Sequence, residues 1–186
     1  MIYTFLATGF EDIEALAPVD IMRRAGLKVA TVSITGEAVV TSAHGVGVVS
    51  DCLLSEVNFD DAELLFLPGG MPGATNLDAC ELLREGLKWH YAAGKPIAAI
   101  CAAPLVLGHL GLLKGKRATC YPGFETELHG ADYTAALVEK DGQIITGKGP
   151  GAAFELGYAI VERFAGKAVA DQLRKGMMYD FLIHNS

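Results

Sequence analysis

The sequence predicts an α/β sandwich in one domain, 1–186, with a mostly parallel central sheet and helices on both of its faces. Three observations predict it. Short, wholly apolar runs such as Pro96–Ile100 alternate with longer amphipathic stretches. Strands without polar alternation belong to parallel sheets that are covered on both sides. No internal repeat, low-complexity tract or linker divides the chain. Its 186 residues, 51% hydrophobic and 20% charged, suit one ordinary domain with a real core.

The elements follow in order. Ile2–Ala7 is an apolar run closed by Gly9, a first strand. Asp12–Ala25 is a helix: Ile13, Ala15, Leu16, Val19, Ile21 and Met22 fall roughly on one stripe, and Gly26 stops it. Pro18 within it predicts a kink or the end of a first turn. Leu27–Ile34 is β-branched and strand-like, and Glu63–Leu67 is a strand that runs into Pro68-Gly69-Gly70. Asn76–Ala93 reads as one helix, with Leu77, Cys80, Leu83, Leu87 and Trp89 among its apolar positions. Pro96–Ile100 is a strand and Pro104–Leu112 a helix. Leu137–Lys140 and Gln143–Thr146 flank Asp141-Gly142, a strong hairpin signal. Pro150–Phe164 is a long helix, and Lys167–Arg174 continues helical after Gly166.

Charge excludes some partners. Fifteen basic residues stand against 22 acidic ones, a net charge of −7. Such a chain offers no basic stripe to nucleic acid or to an anionic membrane, so neither partner is expected. Cys52, Cys80, Cys101 and Cys120 lie far apart and form no CxxC or CxxH cluster, so no metal is expected. The first residues carry no basic segment and turn acidic, unlike a signal peptide. The longest apolar stretches contain Pro, Gly and His, and none reads as a membrane span of about twenty residues. A cytoplasmic protein with reduced thiols is the expectation.

In open α/β sheets, ligands bind outside the carboxyl ends of the strands. Three such ends stand out. At Ala99-Ile100-Cys101-Ala102-Ala103-Pro104 an apolar strand meets a cysteine, then small residues, then a helix. This is similar to a nucleophile elbow, with the sulfur near a helix N-terminus that favours thiolate. A buried, inert cysteine is the ordinary alternative. At Pro68-Gly69-Gly70 two glycines let the backbone approach a ligand, and with the Ala102 amide they suit an oxyanion hole. A plain tight turn is the alternative there.

The third end carries Glu11, Asp12 and Glu14. Glu11 and Asp12 are explained by the helix dipole. Glu14 lies a turn further in, where an inward carboxyl has a raised pKa and serves as a general acid and base. Tyr121 follows Cys120 and either lines the site or fills core. His44 lies in a loop, placed to reach a site in its own or a partner subunit, while His90 and His109 read as helix-face residues. Cys52, Cys80 and Cys120 read as thiols without a role.

These residues carry a resemblance. The chain resembles the ThiJ/PfpI superfamily, in the branch of the Parkinson-disease-associated protein deglycase (DJ-one). The match runs through Gly9-Phe10-Glu11-Asp12-Ile13-Glu14 and Pro18–Gly26. It continues through Leu67-Pro68-Gly69-Gly70 and Ala98–Pro104, and closes with Val138–Gly142 and Gly149-Pro150-Gly151. The resemblance implies a flavodoxin-like three-layer sandwich, a homodimer, and Cys101 as a reactive, oxidation-sensitive nucleophile. It implies that Glu14 hydrogen-bonds the cysteine, that Gly69, Gly70 and Ala102 supply oxyanion amides, and that His44 matches a basic residue contributed by the dimer partner. No metal or organic cofactor is implied. Two positions depart from the pattern. Ala102 stands where many members place a histidine, and Tyr121 replaces the branch's pocket histidine.

The implied function is a cysteine-dependent, glutathione-independent glyoxalase or deglycase that converts 2-oxoaldehydes such as methylglyoxal to 2-hydroxyacids. The alternative is a redox-responsive stress protein or chaperone whose cysteine is oxidised to sulfinate. A cysteine hydrolase or amidotransferase-like enzyme is third.

Overall fold

The computed structural model describes residues 1–184. It begins with β1 (Ile2–Leu6), α1 (Asp12–Arg24) and β2 (Val29–Ser33), followed by β3 (Val39–Thr41), β4 (Gly47–Val49) and β5 (Cys52–Leu53). Next come β6 (Leu64–Leu67), α2 (Gly73–Ala79), α3 (Glu81–Ala92), β7 (Ile97–Ile100) and α4 (Pro104–His109). The chain then forms β8 (Arg117–Ala118), β9 (Asp132–Tyr133), β10 (Val138–Asp141) and β11 (Ile144–Gly147), and ends in α5 (Ala153–Ala165), α6 (Lys167–Gly176) and α7 (Tyr179–His184).

Seven strands make the main sheet in the order β10-β11-β7-β6-β1-β2-β5. All neighbours are parallel except β10 against β11, the hairpin that turns at Gly142 with φ 62°. Successive residues of the central strands point into two cores. Leu65, Leu67, Ile97 and Ala99 join one cluster with residues of α2, α3 and α4. Leu64, Phe66, Ala98 and Ile100 join the other with residues of α1, α5 and α6. Wholly apolar strands are therefore required, and the flavodoxin-like sandwich is the result.

The order of strands sets the site. From β1 the chain moves outward to β2 on one side, whereas β6, β7 and β11 build up on the other. This reversal falls between β1 and β6. In open α/β sheets, ligands bind at such a reversal, outside the carboxyl ends of the strands.

Several elements differ from expectation. The single helix over Asn76–Ala93 is two helices, since Cys80 is extended with φ −83° and ψ 98°. Arg84 reaches back to the Asp78 carbonyl at 3.2 Å and to its carboxylate, which satisfies the end of α2. Leu77, Leu83 and Leu87 stay buried on both sides of the break, so the apolar pattern hides it. α1 runs on through Pro18. The start of the last long helix is a 3-10 turn, Pro150–Ala152. The β3–β4 hairpin and the β8–β9 pair escaped the sequence pattern because strands of two or three residues are too short for a period, and α7, at six residues, is less than two helical turns.

Gly108 in α4 is set against backbone: a Cβ there would lie 2.0 Å from the Glu127 carbonyl oxygen. Alanine gains up to about 1 kcal/mol of helix propensity. Displacing backbone costs about 1–3 kcal/mol, so the contact wins. Gly108→Ala is expected to lower stability by about 1–2 kcal/mol in urea unfolding. An unchanged or higher stability would show that α4 is free to move away.

Candidate active site

Cys101 sits directly after β7 and before α4, only 9% exposed. Its φ is 64°, the left-handed region that a side-chain-bearing residue rarely adopts. Two long-range bonds hold it there. Its N–H donates to the Gly147 carbonyl at 2.9 Å, and its carbonyl accepts from the Tyr121 N–H at 2.8 Å. Ala99, Ala102 and Ala103 are buried around the turn, where larger side chains would crowd it. This is the elbow that the spacing predicts.

Glu14 comes from the first turn of α1 and is fully buried. Glu11 caps this helix by accepting the Glu14 N–H at 2.8 Å, which accounts for it as a structural acid. The Glu14 Oε2 accepts the Gly69 N–H at 3.0 Å, while Oε1 has no hydrogen-bond partner. Gly69 is a glycine by necessity: a Cβ would stand 2.6 Å from Glu14 Oε2 and 2.7 Å from the Cys101 Cβ. Gly70, at φ 88°, has the Glu11 nitrogen and the Gly9 oxygen equally close.

Burial raises the Glu14 pKa to about 7, and the Glu11 charge adds to the rise. Interaction with the Cys101 thiol and the Gly69 amide partly offset it. Burial, and then the Glu14 carboxylate, push the Cys101 thiol up. The amides of Ala102 and Gly70 act on the sulfur in the opposite sense. The sequence reading placed the sulfur at a thiolate-favouring helix N-terminus. Here α4 has six residues, and burial beside a carboxylate outweighs its dipole. The thiol and carboxyl titrate as a pair that keeps one proton above about pH 7.

Of the expected oxyanion amides, Gly70 and Ala102 act on the sulfur, while Gly69 is engaged by Glu14. Tyr121 is tied to Cys101 through its backbone, but its ring is 46% exposed. The ring lines an open cleft of about 270 Å³ together with Pro122, Leu137 and the Gly149–Ala152 turn. His44, in the β3–β4 turn, lies with Nδ1 2.8 Å from Asp12 Oδ2, so within the chain it meets the start of α1 and not Cys101. That carboxylate raises its pKa. His90 is a core residue held to the Pro96 carbonyl at 3.0 Å, its pKa lowered by burial to about 4. All four cysteines are free thiols, and burial raises Cys120 to about 11. The sequence reading missed Gly147, whose carbonyl clamps the elbow, because no local signal announces pairing between strands some 47 residues apart.

The raised Glu14 pKa has a sign for stability. Between its ordinary 4.5 and about 7 the native state binds a proton that the unfolded state releases. Stability from this group is therefore lost as pH rises across that window, by about 3 kcal/mol. Glu14→Gln is expected to melt near the wild type at about pH 5 and several degrees above it at about pH 8. A melting-temperature difference that does not change with pH would contradict a raised carboxyl.

A sequence model of the DJ-1/PfpI family matches residues 1–163. The chain is 40% identical over 167 residues to protein DJ-1 homolog B of Arabidopsis thaliana, covering 89% of this chain. It spans only 38% and 44% of the length of two such Arabidopsis relatives. It is 36% identical over 148 residues to a deglycase of Pyrococcus abyssi, covering 78% of this chain and 87% of that protein. The crystal structure of Drosophila melanogaster DJ-1beta superposes with a TM-score of 0.90 at 34% identity, covering 95% and 96% of the two chains. A cysteine on a strained elbow, a buried glutamate beside it and a match across most of the sequence agree, and the chain belongs to the DJ-1/PfpI family.

Proposed function

We propose that the chain is a glutathione-independent glyoxalase of deglycase type, acting on 2-oxoaldehydes such as methylglyoxal as a single domain. The observation that supports it best is the meeting of Cys101, the buried Glu14 and the Gly70 and Ala102 amides at one strand end. Above about pH 7 the pair holds one proton. As Sγ attacks the aldehyde carbon, the C–S bond forms and the thiol proton passes to Glu14. The carbonyl electrons move onto oxygen, where the two amides hold the charge. Glu14 gives that proton to the oxyanion and, as a carboxylate again, takes the proton of the first carbon and delivers it to the second, while the hydroxyl proton of the first carbon moves to the oxygen of the second. The first carbon is thereby oxidised and the second reduced, with no external oxidant. Water releases the 2-hydroxyacid and restores the thiol.

Two features favour this over the rival readings. Among the described residues no imidazole acts on the sulfur, so attack on amides lacks its usual base. A thiol pushed up in pKa is a poor target for peroxide, because oxidation proceeds through thiolate. An aldehyde attack that delivers the proton to Glu14 in the same step needs no standing thiolate.

Purified protein is expected to form lactate from methylglyoxal without glutathione, and Cys101→Ala to form none. Glu14→Gln should lose about 10²–10⁴-fold in kcat. Absence of lactate from the wild type, or lactate from Cys101→Ala, would remove the proposal.

The same reading includes a homodimer. Ile13 and Leu16 on α1 are exposed, as are Val39, Val46 and Val49 of the β3–β4 hairpin, which contacts the start of α1 through His44. Joining two such faces would cover these side chains and set His44 at the interface. Sedimentation at micromolar concentration should give a dimer, and Val49→Asp a monomer. A monomeric wild type would contradict this part.

A further inference from the structure

His109 ends α4, and Glu127 and His129 lie on the 3-10 turn and loop that follow. One ligand atom from each comes within 4.8 Å of the others. The sequence places His109 and Glu127 18 residues apart and gives no sign of this. Gly108 brings them together, since only a residue without Cβ lets α4 lie against the Glu127 carbonyl.

The surroundings are those of a ligand set. His109 Nε2 lies 2.8 Å from Glu127 Oε2. Its other nitrogen, Nδ1, lies 2.8 Å from Asp78 Oδ2 at the end of α2, and Asp78 is itself paired with Arg84. Metal-bound histidines are typically held in this way, with the far nitrogen fixed by a carboxylate that sets the tautomer. The His129 ring stands 5.2 Å from the His109 ring and takes no part in the ion pairs.

We infer that His109, Glu127 and His129 bind a first-row divalent cation, zinc foremost, at the end of α4 opposite the Cys101 turn. Two imidazoles and one carboxylate form a donor set that zinc takes with a fourth position left to water. Tetrahedral ligation puts donor atoms about 3.3 Å apart, so the pairs need only small side-chain shifts. Without the cation, His109 stands between Asp78 and Glu127, each 2.8 Å from one of its ring nitrogens. With Nε2 on the metal, Nδ1–H donates to Asp78 and holds the ring in place. The cation ties the end of α4, the helix that follows the Cys101 turn, to the segment between β8 and β9.

Calorimetric titration with zinc chloride tests this, with cobalt absorption to report the geometry. One cation per chain is expected at micromolar affinity or better. His129→Ala should weaken binding at least tenfold while keeping the metal-free melting temperature, and Glu127→Gln should weaken it without changing the size of the side chain. His44→Ala and Cys101→Ala should bind as the wild type does, which separates this site from the thiol and from the Glu11, Asp12 and His44 group. No saturable binding would overturn the inference. So would full affinity in His129→Ala and Glu127→Gln, or loss of binding in His44→Ala or Cys101→Ala.

Discussion

The structure depends on a carboxyl group buried against a cysteine. Glu14 is fully enclosed, one of its oxygens is unpartnered, and among the described residues no cation neutralises it. Such a group is costly, on the order of 3 kcal/mol when ionised. The left-handed backbone at Cys101 adds about 1–3 kcal/mol. Set against a typical total of about 5–15 kcal/mol, this is a large share to place at one point. The two cores on either face of the sheet offset it.

Each neighbouring feature follows from holding that pair. Gly69 has no Cβ because Glu14 and Cys101 occupy the space, and its amide supplies the bond that Oε2 needs. Gly70 is bent so that its amide acts on the sulfur. Glu11 caps α1, which fixes the first turn and so aims Glu14. Gly147 on β11 and Tyr121 beyond β8 clamp the elbow from both sides. The reversal of strand order between β1 and β6 sets α1, which follows β1 and carries Glu14, beside the end of β6 with Gly69, and Cys101 follows the next strand, β7.

Much of this was legible in the sequence, for physical reasons. Wholly apolar strands, the hairpin at Asp141-Gly142 and the small residues around Cys101 are local signals, and each formed as read. Glu14 was legible because its spacing turns it inward from a helix whose first acids face out. What failed was long-range or electrostatic. The break at Cys80 lies inside an unbroken apolar pattern. The sulfur's pKa is set by burial and by a carboxylate far away in sequence, which outweigh the helix end that lies next to it. The set of His109, Glu127 and His129 exists only because Gly108 admits a carbonyl from another segment.

The thiol of Cys101 and the carboxyl of Glu14 titrate together. The direct measurement is the rate of Cys101 alkylation by iodoacetamide as a function of pH, in the wild type and in Glu14→Gln. The account predicts an inflection near pH 7 in the wild type, and its displacement when Glu14 is replaced, because that inflection belongs to the pair. The same inflection in both proteins would show that the sulfur titrates alone, and would contradict the account.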